Sequence, residues 1–421
     1  MSEVKNSIHA LNIYEVNVRQ YTNEGTFAAF AKHLPRLKNM GIKMLWLMPV
    51  TPISVQGRQG TLGSYYACSD YVSINSEFGN LDDFKQLVKE AHDLEMQLII
   101  DWVANHTGLD HRWTQEHSDW YEKDASGNFT EKHGWKDVID LNYENNDMRE
   151  EMIKCMQYWI TECDIDGFRC DMAHLVPLAF WVDAQRECEK LKPLFWLAEC
   201  EVPEYHKVFN VTYAWKWMHV SEKLAKNMAG INDMKDVLKI YTDYPPGALK
   251  LLFTSNHDEN TWNGTEYEKY GDEAESFAIF TFTWLGVPLI YSGQELPNFK
   301  RLKFFNKDCI EWTNEEPALH DFYKRLTNLK TQNAALHIPS NIEVLSTDYN
   351  ENIFAFLRIN GDEKVLVILN LSNRDKLQFH ITHPLLEGTF QHLFSDIQYK
   401  LGEVQTFELQ AFEYLVLFAV K

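Results

Sequence analysis

The chain has no unbroken run of 18 apolar residues, so no segment reads as a helix long enough to cross a bilayer. It has no C-x-x-C pair, and its seven cysteines are an odd number without framework spacing. Free thiols and a reducing compartment are the expectation. Positive charge is scarce: 40 Lys and Arg face 61 Asp and Glu, a net charge of -21. Such a surface repels phosphate backbones and anionic membranes, which argues against nucleic-acid and membrane partners and leaves a neutral substrate or a cation. The first residues, MSEVKNSIHALNIYEV, lack a basic stretch followed by an apolar one. A cytoplasmic location is expected, or a periplasmic or secreted one if a leader has been removed. No internal repeat, low-complexity tract or sign of oligomeric state is present.

What the sequence does have is apolar material: 421 residues, 45% hydrophobic and 14% aromatic. That suits a barrel of about 250 residues with smaller parts attached. Short β-rich runs fall at 10–17, 44–50, 97–104, 164–171, 194–199, 208–215, 249–256 and 287–293. Helical periodicity lies between most of them, at 27–40, 81–96, 147–162, 177–190, 219–242 and 271–285, with a last stretch at 316–332. Strands that are apolar almost throughout must be covered on both faces, as in a parallel sheet. Eight such units predict an α/β fold, a closed (β/α)₈ TIM barrel, over 1–104 and 148–338. Residues 105–147, after the third strand, are polar and aromatic without helical period, too long for an ordinary loop. From 339 to 421 the pattern turns to successive strands at 353–359, 364–372, 376–382 and 413–420, an all-β C-terminal domain.

Active sites of such barrels lie at the C-terminal strand ends. The third strand ends in DWVANH, with Asp101, Asn105 and His106; the fourth in GFRCD, with Arg169 and Asp171. The fifth ends at Glu199, and the seventh in SNHD, with His257 and Asp258. Side chains alternate along a strand, so Arg169, Asp171 and Glu199 face inward, while Cys170 and Cys200 face the helices as core filler. Neighbouring strands run roughly 4.8 Å apart, so Asp171 and Glu199 can approach the spacing of about 5–5.5 Å used by retaining glycosidases. Arg169 would keep Asp171 ionised as a nucleophile. Glu199 follows the apolar run LFWLA, and desolvation aided by Asp258 would keep it protonated as an acid.

These motifs carry a resemblance. DWVANH, GFRCDMAH, LAE and SNHD stand in the order of the four signature stretches of the α-amylase family, and the likeness extends to GIKMLWLMP, GSYYACSDYVSINSEFG, DLN and VPLIYSGQE. It runs from about residue 10 to the end. It implies a retaining hydrolase of α-1,4-glucosidic bonds in starch-like glucans or maltooligosaccharides. The residue matching Asp171 would be the nucleophile, Glu199 the acid/base, and Asp258 the group that orients sugar hydroxyls. His106 and His257 resemble hydroxyl-binding histidines, Asp101 a support for Arg169, and Tyr66 the aromatic on which the reacting sugar stacks. Residues 105–147 correspond to a short domain B, and 339–421 to a C-terminal β-sandwich.

The chain also departs from the family pattern. The Lys-His that often follows the nucleophile is missing: His174 is three residues on and Leu175 four. A structural Ca²⁺, common in the family, would here be held by Asn105, Asp140 and the backbone near His174, a set with one charged side chain where Ca²⁺ takes six to eight oxygens. No organic cofactor is implied. Within the enzyme class a maltodextrin-active α-glucosidase, a cyclomaltodextrinase or a glucan transglycosylase are alternatives. A non-catalytic amylase-like binding module would have lost one of the three carboxylates, and this chain keeps Asp171, Glu199 and Asp258.

Overall fold

The computed structural model describes residues 8–313 and 315–420. Eight parallel strands close into a barrel. They are β1 (Ile13–Val16), β2 (Met44–Leu47), β3 (Gln97–Trp102), β6 (Gly167–Cys170), β7 (Phe195–Ala198), β8 (Val211–Tyr213), β9 (Leu249–Leu252) and β10 (Val287–Tyr291), with β4 (His106–Gly108) and β5 (Val138–Asp140) forming a separate antiparallel ribbon after β3. Every residue of β1, β2, β6, β7, β8 and β10 is buried. Burial on both faces is the reason these segments are apolar throughout rather than alternating. All eight expected strands are present.

The helices show where local chemistry overrides periodicity. Leu81–Asp93 begins with a capping box, Asn80 and Asp83, and buries Phe84, Leu87, Val88 and Ala91 at helical spacing. The helix expected over 27–40 is two pieces, Phe27–Ala31 and Leu34–Asn39. Pro35 stands in the first turn of the second piece, where a proline lacks the N–H that would continue the first. The stretch at 219–242 is likewise two helices, Trp215–Ala225 and Ile231–Thr242, divided at Gly230, whose N–H donates to Asp233 at 2.7 Å.

Gly167 opens β6 with φ +154°, and a Cβ there would lie 2.0 Å from the Phe195 carbonyl oxygen of β7. Only glycine allows the two strands to approach this closely.

The chain divides into two compact units. One comprises Ile13–Tyr213 with Lys300–Glu311; the other is chiefly Ala214–Phe299 and Trp312 onward. The C-terminal strands, which begin at Asn341, pack against a helix of the same unit. Trp284 packs edge-on against Phe356, ring centroids 5.0 Å apart, and Arg358 donates to the Thr283 carbonyl at 2.7 Å. Tyr414 donates to Glu275 at 2.5 Å. These ties join the helix Ala274–Thr283 to the C-terminal strands, which therefore cluster with it.

Those strands are β11 (Asn341–Leu345), β12 (Ile353–Asn360), β13 (Glu363–Asn370), β14 (Leu377–Thr382), β15 (Gly388–His392), β16 (Gln398–Leu401), β17 (Val404–Leu409) and β18 (Tyr414–Ala419). They form a six-stranded sheet, ordered β11-β12-β13-β18-β15-β16, and the pair β14-β17. Leu357, Ile368, Phe379, Phe390, Phe407 and Leu417 are among the side chains filling the core of this region. Sequence patterning found β12, β13, β14 and β18 and missed the other four strands. β16 and β17 are short and half exposed, so their apolar signal is weak.

Candidate active site

Parallel register sets the site in the first unit. Asp101 of β3 pairs with Arg169 of β6, which pairs with Leu197 of β7. One step past the last pair, Cys170 with Ala198, come Asp171 and Glu199, and the Glu199 N–H donates to the Cys170 carbonyl at 3.0 Å. The two carboxylates therefore leave directly adjacent strand ends.

Arg169 is fully buried and holds three carboxylates together. Its Nη1 donates to Asp101 Oδ1 at 2.9 Å and to Asp171 Oδ1 at 3.1 Å. Nη2 lies 2.9 Å from Glu199 Oε2, an ion pair off the line of a hydrogen bond. Nε donates to the Tyr213 hydroxyl at 3.1 Å. The guanidinium also sits 4.9 Å from the Trp46 ring and 5.9 Å from that of Tyr66. The second oxygen of Asp101 accepts from Tyr66 at 3.0 Å and from Trp46 Nε1 at 3.3 Å. Buried charges need this degree of pairing to persist. Trp46 and Tyr213 were not singled out from sequence. Both lie on apolar barrel strands, where an inward aromatic reads as ordinary core.

The backbone takes part as well. Met172, immediately after Asp171, has φ 40°, a left-handed conformation rarely adopted by a residue with a side chain. That turn aims its N–H at Glu199 Oε2, 3.0 Å away. Strain of this kind concentrates at functional sites.

The electrostatics correct one expectation. Burial and the neighbouring Glu199 raise the Asp171 carboxyl well above the usual carboxylate range, although Arg169 opposes them. Arg169 was expected to dominate and keep Asp171 ionised by itself. It is divided among three acids, and desolvation is the larger effect. His106 moves the other way: burial and His133 push its imidazole down to about 3. It is therefore neutral across the physiological range, able to donate at one nitrogen and accept at the other, and it hydrogen-bonds the backbone of Tyr66.

Asp101, Arg169, Asp171, Glu199 and Tyr66 thus meet directly, and His106 joins them through Tyr66. His257 and Asp258 follow β9 in the second unit, where His257 Nε2 lies 3.3 Å from Asp258 Oδ2. Cys170 and Cys200 are both buried. Burial raises the Cys170 thiol well above its usual range, which makes it inert.

A family model for the catalytic domain of α-amylase matches residues 13–135 and 114–193. The crystal structure of a noncanonic maltogenic α-amylase, AmyB from Thermotoga neapolitana, aligns over 98% of this chain and 99% of its own, at 30% identity and a TM-score of 0.90. The chain belongs to the α-amylase family. An α-amylase structure from Lactobacillus plantarum is 29% identical over 98% of this chain and 99% of that one, with a TM-score of 0.86. The α-amylase MalA of Haloarcula japonica is 24% identical over 86% of this chain, which spans 55% of MalA's length.

The calcium ligands suggested by the family resemblance do not fit the ion in this α-amylase-family enzyme. Asp140 Oδ1 accepts from Asn105 Nδ2 at 3.4 Å, and Oδ2 accepts from the Lys132 N–H at 3.1 Å. The His174 carbonyl accepts from the Tyr205 hydroxyl at 3.3 Å, and the His174 side chain is exposed. Both Asp140 carboxylate oxygens thus accept from N–H donors, while the single Tyr205 hydroxyl lies nearer the Val176 carbonyl, at 2.8 Å. Among the described residues, no group of three or more His, Cys, Asp or Glu side chains is placed to hold a metal ion. A chelator is expected to leave the thermal midpoint of the purified protein unchanged, and so is added Ca²⁺. Differential scanning calorimetry checks this, and a rise of several degrees with Ca²⁺ would refute it.

Proposed function

We propose that this enzyme hydrolyses α-1,4-glucosidic bonds in starch-like glucans or maltooligosaccharides with retention of configuration. The observation that carries the proposal is the placement of Asp171 and Glu199 on adjacent strand ends, tied to one arginine. Adjacent parallel strands lie roughly 4.8 Å apart, which matches a nucleophile and an acid/base with no water between them.

Asp171 attacks the anomeric carbon as Glu199 gives its proton to the departing glycosidic oxygen. A glycosyl ester on Asp171 and a free sugar hydroxyl result. Glu199, now ionised, takes a proton from water, and the water oxygen breaks the ester, releasing the sugar and restoring Asp171. Arg169 donates a hydrogen bond to Asp171, which fixes the attacking oxygen, and meets Glu199 off the line of a hydrogen bond. In this reading Asp258 and His257 hold sugar hydroxyls, neutral His106 does so through either nitrogen, and Tyr66 stacks on the reacting sugar.

The maltogenic name of the Thermotoga neapolitana structure favours a second, narrower reading: release of maltose from chain ends. Incubation with amylose, maltoheptaose, β-cyclodextrin and pullulan, followed by product chromatography and anomer-resolved NMR, tests both. A spread of short α-configured products supports endo hydrolysis, and maltose alone supports the narrower reading. Products of inverted configuration, or no cleavage of any of the four, would end the proposal. No helix among the described residues is long and apolar enough to cross a membrane. Seven unbridged cysteines suit the reducing compartment expected from sequence.

A further inference from the structure

After β9 the chain runs through Asn256 and His257 to Asp258, and then makes a single turn of π-helix, Glu259–Asn263. Such turns are rare and tend to mark functional positions. The turn has two distinct faces. Glu259 and Asn260 point inward and are 3% and 4% exposed. The Asp258 side chain is 38% exposed and Trp262 is 53% exposed. Asp258 is the N-cap of this turn and Trp262 stands four residues on, within it, so both partly open side chains belong to one short segment.

The indole is exposed on a fixed support rather than on a loose loop. Glu259 Oε2 forms a buried ion pair with Lys269 Nζ at 2.5 Å, and Lys269 also donates to the Thr254 carbonyl at 3.1 Å. Glu259 Oε1 accepts from Asn263 Nδ2 at 2.8 Å, and the Gly264 N–H closes the turn onto the Glu259 carbonyl at 2.9 Å. Thr265 then caps the next helix, Glu266–Tyr270. Both ends of the turn are therefore anchored. A large apolar ring held in water is stabilised whenever a flat apolar surface covers it. The C–H face of a glucopyranose ring is such a surface, and the Asp258 carboxylate at the start of the same turn is suited to its hydroxyls.

We propose that Trp262 is the stacking platform for the glucosyl unit adjoining the one that Asp258 holds, and that the Glu259–Lys269 pair keeps it there. The inference rests on the glucan reading above. It is tested by calorimetric titration of maltoheptaose into the Glu199→Gln protein, with Trp262→Ala or Trp262→Phe added. Trp262→Ala weakens binding about tenfold, and Trp262→Phe restores most of it. In the otherwise wild-type enzyme, Trp262→Ala raises KM for maltoheptaose with little change in kcat, and the thermal midpoint stays in place. Equal binding by the Glu199→Gln protein with and without Trp262→Ala overturns the platform alone. A Glu199→Gln protein that binds no maltoheptaose overturns the glucan reading and the platform together.

Discussion

Replacing Asp171 with Asn lowers kcat on maltoheptaose by on the order of 10⁴-fold or more while the protein stays folded. Asparagine keeps the shape and can still accept from Arg169, so the barrel end is not left with a hole. What is lost is the oxygen that forms the glycosyl ester, and neither Glu199 nor Asp101 can replace it. Asp101 is committed to Arg169, Tyr66 and Trp46. Burial and like-charge repulsion raise the Asp171 carboxyl in the wild type, and the amide removes that cost. The variant should therefore equal or exceed the wild type in thermal midpoint at pH 7. Steady-state kinetics with a parallel melt checks both halves. A variant keeping a tenth of wild-type turnover would remove Asp171 from the nucleophile's role.

Arg169→Met should be the most damaging single change to stability. It leaves Asp101, Asp171 and Glu199 buried without their shared cation, and breaking a buried pair in this way costs about 3–5 kcal/mol. The sign of the pH dependence follows from linkage. Without the guanidinium, the cluster binds protons more tightly in the folded than in the unfolded chain. A carboxyl whose folded pKa is raised makes the folded state relatively more stable at low pH; that contribution is full below the unfolded pKa and is lost as pH rises through the folded one. The deficit of Arg169→Met against wild type is thus smallest near pH 4–5, around the ordinary carboxylate range, and largest above pH 7. Urea melts of both proteins from pH 4.5 to 8 measure it, and a deficit that does not change with pH would mean the arginine acts through packing on Trp46 rather than through charge. Arg169→Lys should recover only part of the loss, since an ammonium cannot reproduce the planar fork that reaches Asp101, Asp171 and Tyr213 at once.

The sequence made the barrel legible because two-face burial writes itself as unbroken apolar runs, and all eight strands carry that mark. It made the cluster of Asp101, Arg169, Asp171 and Glu199 legible because charge at the end of an apolar strand has few structural uses. It did not reveal the proton balance. That depends on how one guanidinium is shared among three acids, a three-dimensional quantity that residue types two positions apart do not encode. Trp46 and Tyr213 stayed hidden for the opposite reason: as apolar residues on apolar strands, they differ from core only in what lies beside them. The break at Pro35 was readable and was overridden by an apolar pattern that continued on both sides. The compact-unit boundary was not readable, because it depends on pairings such as Trp284 with Phe356 that join segments far apart in the chain.

Gly167 bears on the chemistry from four residues upstream of Asp171 without offering an atom to it. Where β6 enters the barrel beside β7, there is no room for one additional carbon. Those same two strands end in Asp171 and Glu199, the nucleophile and acid/base of the proposed mechanism. On that proposal, the spacing of the pair that the retaining reaction requires depends in part on a residue defined by having no side chain. A methyl group introduced there would act as a wedge at the base of a two-pronged fork, moving the tips apart while every catalytic residue remained unchanged.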